Sequence, residues 1–184
     1  MARAANGERE AFGALVERHE RRVYNLALRM MGNDPDARDA AQEAFLTVYR
    51  KLSSFRGDAA FTTWLHRVTV NACHDQLRKR GRAPLLALDP DAEPPAAPAP
   101  DHADAAAGAI DVQRALAEVP EDFRAVIVLH DVQDVGYDRI AEILEVPVGT
   151  VKSRLHRGRV ALARILAGEP ARERDGVGGA SEER

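Results

Sequence analysis

Cysteine is almost absent from this chain of 184 residues, in which Cys73 is the only one. A single cysteine excludes both an intramolecular disulfide and a zinc site built from cysteines, and it is consistent with a reducing compartment. The sequence has no apolar run typical of a signal peptide at its beginning and none with the length that a membrane span requires. We therefore expect a cytoplasmic protein that does not insert into a membrane.

The sequence also lacks the patterns on which most enzymes depend. Its six histidines show no metal-ligand spacing, and neither a glycine-rich phosphate loop nor a pair of nucleophile and base is recognisable. We expect no enzyme activity, no cofactor, no metal and no small-molecule substrate. The net charge of −3 gives no overall attraction to nucleic acid, so only a local concentration of positive charge would indicate DNA binding.

Lysine and arginine are missing from residues 83–113, whereas six of the ten prolines lie between Pro84 and Pro100. A segment rich in proline, alanine and aspartate buries too little apolar surface to fold, and its prolines make it partly stiff. We predict an N-terminal lobe at 6–82, a flexible linker at 83–108, a C-terminal lobe at 109–167 and a disordered tail at 168–184.

Apolar residues recur at helical spacing in both lobes, and no segment shows convincing strand alternation. In the N-terminal lobe Leu15, Val23 and Leu26 lie on one side of a predicted helix. Asp34 followed by Pro35 then predicts the start of the next helix, with Asp34 as its N-cap. The predicted fold class is all-α, with two small helical domains joined by the linker.

The segment from Gly136 to Arg157 predicts two short helices joined by a tight turn, of which the second is basic. Residues 147–168 contain five lysines and arginines but no aspartate or glutamate. On a helical wheel with about 100° per residue, Val151, Leu155, Gly158 and Leu162 form one stripe. We expect that stripe to pack on the preceding helix through Ile140, Ile143 and Leu144.

The opposite stripe of this helix carries Lys152, Ser153, His156 and Arg157, with Gly149 nearby and Arg154 and Arg159 on the flanks. Such a separation is typical of a helix that enters the major groove, where lysine, arginine and serine hydrogen-bond to base edges and flanking residues contact phosphates. The alternative is a basic helix face that is merely solvated.

Two further polar faces stand out in the N-terminal lobe. Arg67, Asn71, His74 and Arg78 are spaced by three or four residues, which aligns them on one side of a helix. Asp39, Gln42 and Glu43 lie on the polar side of the preceding helix, where they either bind a partner or form a solvated surface. We expect Trp64 and Cys73 to lie in the core.

These segments together resemble the extracytoplasmic-function (ECF, group IV) sigma factors of the sigma-70 family. Val146–Arg159 resembles region 4.2, Asp39–Phe45 resembles the polymerase-binding segment of region 2, and Phe55–Leu65 with Val70–Cys73 and Asp75 resembles its −10 segment. The stretch from Trp64 to Cys73 is most similar to the actinobacterial sigma-M-like group. The helix-turn-helix alone is moderately specific, whereas both motif sets in this order are highly specific.

The resemblance implies that the protein directs core RNA polymerase to promoters and initiates transcription in response to stress. Asp39, Gln42 and Glu43 would bind the β′ clamp helices, and the C-terminal lobe would meet the β flap. We further predict that an anti-sigma factor occludes both lobes, because two lobes on a flexible linker can be clamped together away from polymerase. The residues implied for −35 recognition are Gly149, Thr150, Lys152, Ser153, Arg154, His156, Arg157 and Arg159.

The resemblance also implies that a loop of region 2 captures a flipped base of the −10 element, which offsets the cost of flipping. The residues implied for −10 recognition are Ser54, Phe55, Arg56, Gly57, Asp58, Phe61, Arg67, Asn71, His74 and Arg78.

Several positions depart from the family pattern. Ala40 stands where leucine is usual, and Glu145 replaces a turn glycine, at a cost of about 1 kcal/mol or more if its backbone is left-handed. Lys152 loses the bidentate geometry of arginine, and His156 replaces an aromatic residue found in some members. The alternative functions are a stand-alone helix-turn-helix regulator with a sensing or dimerising N-terminal lobe, and a module that binds only proteins.

Overall fold

The structure is a computed structural model that describes residues 2–5, 8–55, 57, 60–82 and 112–168. The predicted linker lies outside the described residues, as do the tail beyond Gly168 and the loop residues Arg56 and Asp58. Within the described ranges the secondary structure is helical and contains no strand, which confirms the all-α prediction.

Eight α-helices and two short non-α turns account for the secondary structure of the described residues. The N-terminal lobe contains α1 (Ala2–Ala5), α2 (Arg9–Met31), α3 (Asp34–Lys51), a 3₁₀ turn (Leu52–Ser54) and α4 (Phe61–Arg82). The C-terminal lobe contains α5 (112–118), α6 (Glu121–Ile127), a π-helical turn (Val128–Val132), α7 (Tyr137–Leu144) and α8 (Val148–Leu166). Of these helices, none is long and apolar enough to cross a bilayer.

The junction between α2 and α3 corrects one sequence prediction. Gly32 ends α2 in the left-handed region, with φ of 84°, as glycine does at many helix C-termini. Asn33, and not Asp34, is the N-cap of α3: its backbone is extended and its side-chain oxygen accepts a hydrogen bond from the Asp36 amide at 3.0 Å. Both residue types are good N-caps, so the choice depended on where the backbone leaves the glycine turn.

The core of the N-terminal lobe lies between α2, α3 and α4. Alanines at positions 37, 40, 41 and 44 form the buried side of α3; their small side chains allow close approach of the large buried residues Leu26, Met30 and Leu65. Ala40, the departure from the family pattern, is 1% exposed. Cys73 is fully buried, and burial raises the pKa of its thiol to about 12.

In the C-terminal lobe α8 packs against both α6 and α7. Val151, Leu155 and Gly158 are buried, which confirms the predicted inward stripe of α8. The prediction that this stripe packs on the preceding helix was incomplete, because α6 also lies against Gly158. A Cβ atom there would come within 2.8 Å of Ile127 Cδ1 and 3.1 Å of Phe123 Cβ.

The two lobes are in direct contact, and each supplies an arginine to the C-terminal end of a helix in the other. Arg124 of α6 donates a hydrogen bond to the Met30 carbonyl in the last turn of α2. Arg67 of α4 donates one to the Glu142 carbonyl in the last turn of α7, at 2.7 Å. The last carbonyls of a helix have no partner within the helix and carry partial negative charge, so a cation there is favourable.

Candidate nucleic-acid and polymerase interfaces

The basic helix α8 separates cleanly into a buried and an exposed side. Lys152, Ser153, His156 and Arg157 are all exposed, directly opposite the stripe that packs on α6 and α7. Gly149 is exposed as well, and no heavy atom lies within 4 Å of where its Cβ would be. The N-terminal half of α8 therefore presents an exposed surface of hydrogen-bond donors.

Two side chains shape the edge of this surface. The Lys152 ammonium lies 5.9 Å from the centre of the Tyr137 ring, a cation–π distance, and the Tyr137 ring stacks on His130 with centroids 4.9 Å apart. Ser153 donates from its hydroxyl to the Thr150 carbonyl at 3.0 Å, which fixes its rotamer. Tyr137 thus orients Lys152 without removing its charge.

The two flanking arginines of α8 are engaged within the lobe. Arg154 pairs with Asp122 at 2.8 Å, and Arg159 Nε donates to Asp131 at 3.1 Å. Hydrogen bonds from Arg159 lower the pKa of the Asp131 carboxyl. If either arginine binds a DNA phosphate, that phosphate has to compete with the carboxylate for the guanidinium. Lys152 and Arg157, by contrast, form no ion pair among the described residues.

Only part of the polar face of α4 is open to solvent. Asn71 and Arg78 are exposed, and Arg78 pairs with Asp75 in the same helix. Arg67 and His74 are half-buried because the C-terminal lobe lies against them. Burial lowers the pKa of His74, and its Nε2 atom has no hydrogen-bond partner among the described residues. The structure therefore places the four predicted residues on one helix, but with two of them against the other lobe.

The loop before α4 is anchored by an aromatic cluster. Phe55 lies 5.1 Å from Trp64 and 5.9 Å from Phe61, measured between ring centres. Ser54 donates to the Lys51 carbonyl at 2.8 Å, and Gly57 has φ of 79°. Trp64 is only half-buried, so the expectation of a core residue was correct only for the side of the ring that packs on the cluster.

The outer face of α3 bears the predicted acidic residues and two apolar side chains that sequence reasoning missed. Asp39, Gln42 and Glu43 are exposed, and Glu43 pairs with Arg50 at 3.3 Å. Leu46 is 41% and Tyr49 52% exposed. Leu46 follows Glu43 by three residues and Gln42 by four, and Tyr49 follows Gln42 by seven, which places both on the same side of the helix. This signal was present in the sequence.

Nothing in the described ranges suggests a metal site, since no group of three histidine, cysteine or carboxylate side chains comes close enough together to hold one.

Comparison with known proteins agrees with this geometry in both lobes. Residues 15–83 match the family described as Sigma-70 region 2, and residues 109–162 match that described as Sigma-70, region 4. The chain is 43% identical over 157 residues to the ECF RNA polymerase sigma factor SigE of Mycolicibacterium smegmatis, covering 83% of this chain and 60% of SigE.

The chain is also 42% identical over 166 residues to the ECF RNA polymerase sigma factor SigM of Mycobacterium tuberculosis, covering 90% of this chain and 82% of SigM. The sigma factor RpoE of Bartonella quintana, solved in complex with the anti-sigma factor NepR, superposes with a TM-score of 0.69 at 25% identity, over 86% of this chain and 98% of that chain.

With two helical lobes, an exposed basic helix and matches to regions 2 and 4, this chain is a sigma-70 family protein. The chain belongs to the ECF sigma factors, and it acts as an RNA polymerase sigma factor. The match of residues 15–83 to region 2 favours this function over a stand-alone regulator, which has no need of that region. Its relatives include SigM, although SigE is similar to the same degree.

Proposed function

We propose that this sigma factor reads the −35 element of its promoters with the exposed stripe of α8. The observation that carries the proposal is the division of α8 into two faces: Val151 and Leu155 are buried, while Lys152 and Arg157 are exposed and unpaired among the described residues. Arginine and lysine recognise guanine O6 and N7 in the major groove. Ser153, His156 and Thr150 complete the readout, and Arg154 and Arg159 contact phosphates after exchanging their carboxylate partners.

The N-terminal lobe, at 6–82, is proposed to bind the −10 element. The aromatic cluster of Phe55, Phe61 and Trp64 supports this assignment, because aromatic rings are the usual platform for an unstacked base. Ser54, Arg56, Gly57 and Asp58 would line the pocket for that base. The α4 residues Arg67, Asn71, His74 and Arg78 would follow the DNA strand.

The outer face of α3 is proposed to bind the β′ clamp helices of core polymerase. Asp39, Gln42 and Glu43 supply polar contacts, and the exposed Leu46 and Tyr49 supply the apolar centre that a protein interface needs. A surface that only faced water would gain nothing from two large exposed apolar side chains at this spacing. The C-terminal lobe, at 109–167, would contact the β flap.

An anti-sigma factor is proposed to hold the chain inactive in the cytoplasm until a stress signal releases it. The support is the direct contact between the lobes and the complex of the similar RpoE with NepR. Affinity purification from the source cell under several growth conditions tests this proposal. Recovery of polymerase alone under every condition would contradict it.

Run-off transcription with purified core polymerase tests the main proposal. The substitutions Lys152→Ala and Arg157→Ala should each weaken promoter binding about 5- to 100-fold, the range for loss of a base contact worth about 1–3 kcal/mol. Arg164→Ala is the matched control, because Arg164 is an exposed arginine in the last turn of the same helix. It should change binding by less than about twofold.

Two results would contradict the proposal. One is a failure to initiate at any promoter when the chain is added to core polymerase. The other is an equal loss of binding in the Arg164→Ala control, which would mean that α8 contributes only general positive charge. A stand-alone regulator would instead bind its DNA equally well with and without polymerase.

A further inference from the structure

Arg67 is held by the end of α7 in the opposite lobe. One terminal nitrogen donates to the Glu142 carbonyl at 2.7 Å, and the other lies 3.0 Å from the Glu145 carboxylate. The Nε atom of Arg67 has no hydrogen-bond partner among the described residues. The position of this guanidinium in the structure is therefore set by the C-terminal lobe and not by its own helix.

Glu145 occupies a backbone conformation that does not suit it. It is the first of three residues between α7 and α8, with φ of 56° and ψ of 43°, in the left-handed region that glycine adopts without strain and glutamate does not. Glycine would give the same turn at lower conformational cost. A glutamate here is explained if its side chain contributes something that glycine lacks, and the contact it makes is the one with Arg67.

The contact covers the face of α4 that faces DNA in the proposed function. A cavity of about 220 Å³ lies between the two lobes, with Asn71 and His74 on one wall and Leu144 and Arg154 on the other. The helix-turn-helix therefore lies over Arg67 and His74, whereas Asn71 stays exposed, as do Lys152 and Arg157 on the far side of α8.

We propose that Glu145 is an internal clasp: its carboxylate takes the place of a DNA phosphate on Arg67, and so favours a closed form in which Arg67 and His74 of the −10 face of α4 are covered. This inference rests on the proposed function of α4. Promoter DNA must displace the carboxylate, and the lobes must separate, before Arg67 binds a phosphate.

The clasp adjusts the balance between closed and open forms and does not lock it. Glu145 is 72% and Arg67 34% exposed at the side chain, and solvent-exposed pairs contribute little. Loss of the carboxylate should raise the ratio of open to closed protein about two- to fivefold. The Arg67 bond to the Glu142 carbonyl and the Arg124 contact remain and keep most of the protein closed.

Single-molecule fluorescence energy transfer in the free full-length chain measures this ratio directly. Dyes are attached to cysteines introduced by Glu20→Cys in α2 and Arg164→Cys in α8, both exposed positions in different lobes. Cys73 is fully buried and does not compete for the dye. Circular dichroism of each variant confirms that its helices are formed.

Four variants separate the clasp from general effects of charge. Glu145→Gln should increase the open fraction, and Glu145→Lys should increase it further because lysine repels Arg67. Glu142→Gln is the matched control: it removes one negative charge from the same helix, but only the Glu142 backbone contacts Arg67. It should leave the ratio unchanged. Glu145→Lys combined with Arg67→Glu should be more closed than Glu145→Lys alone, because the ion pair forms again with its charges exchanged, although the hydrogen bond to the Glu142 carbonyl is lost.

The clasp is overturned if Glu145→Gln leaves the ratio unchanged, if Glu142→Gln opens the lobes equally, or if the charge-swapped pair is no more closed than Glu145→Lys alone. Because no DNA or polymerase is present, these results are independent of the transcription assay. If the variants open as expected but the chain initiates at no promoter, the clasp proposal stands and the proposed function of α4 is wrong.

Discussion

Arg124 and Met30 lie 94 positions apart in sequence, and the guanidinium of Arg124 donates a hydrogen bond to the Met30 carbonyl. The same side chain donates to the carbonyls of Ala117 and Val119. It is 6% exposed, and burial lowers the pKa of its guanidinium. One buried arginine thus satisfies carbonyl groups at the ends of α2 and α5 and in the α5–α6 connection, and its bond to Met30 joins the two lobes.

Replacement of Arg124 should destabilise the whole chain. Arg124→Met keeps most of the side-chain volume but leaves these carbonyls without their donor, so the free energy of unfolding should fall by about 2–4 kcal/mol. Urea unfolding followed by circular dichroism measures it. The control is Arg114→Met, at an exposed position of α5, which should stay within about 0.5 kcal/mol of the parent chain. Equal stability of both variants would show that the buried arginine contributes nothing.

Two glycines in helices should respond to alanine in opposite directions. At Gly158 the added methyl group meets Ile127 and Phe123 of α6, so Gly158→Ala should lower the free energy of unfolding by about 1–3 kcal/mol. At Gly13 in α2 no heavy atom lies within 4 Å. Gly13→Ala should therefore raise it by about 0.5–1 kcal/mol, through helix propensity alone. Thermal unfolding distinguishes the two, and stabilisation by Gly158→Ala would show that α8 shifts readily on α6.

The turn between α7 and α8 should tolerate glycine better than its own glutamate. Glu145→Gly relieves the left-handed backbone strain and should raise the free energy of unfolding by about 1 kcal/mol. Glu142→Gly, three residues earlier inside α7, should lower it by about 1 kcal/mol, because glycine is a poor helix former. Chemical denaturation of both variants tests this difference. A loss of stability in Glu145→Gly would mean that its side-chain contacts outweigh the strain.

Stability should fall as the solution is acidified through the titration range of His66. Burial and the charge of Arg22 lower the pKa of His66 to about 4, from 6.5. The unfolded chain therefore binds a proton on this residue at a higher pH than the folded chain does. The free energy of unfolding therefore carries the full contribution of neutral His66 above pH 6.5. That contribution, up to about 3 kcal/mol, is lost as the pH falls from 6.5 to about 4.

Urea unfolding at a series of pH values between 7 and 4 measures this loss. His66→Gln should flatten the dependence without abolishing it, because the pKa values of His19 and His74 are also lowered by burial and contribute in the same direction. An unchanged pH dependence in His66→Gln would contradict the assignment to this histidine.

The division of α8 into two faces was predictable because it depends on local periodicity alone. Once a helix is assumed, Val151 and Leu155 must lie on one side and Lys152 and Arg157 on the other. The choice between Asn33 and Asp34 as N-cap was beyond the same reasoning, because adjacent residues of equal capping ability differ only in the backbone path that precedes them. The family pattern has glycine at Glu145 and so raised a left-handed backbone only as a condition, which the structure shows to be met.

The sequence by itself determined the class of fold, the two helical lobes and the exposed residues of α8, since each follows from side-chain spacing and charge along a single helix. Only the tertiary structure decided that Arg67 and Arg124 cap helices in the opposite lobe, that Gly158 lies against α6, and that Glu145 reaches Arg67. These contacts join residues far apart in the chain, and their partners are carbonyl groups and packing surfaces that no side-chain pattern encodes.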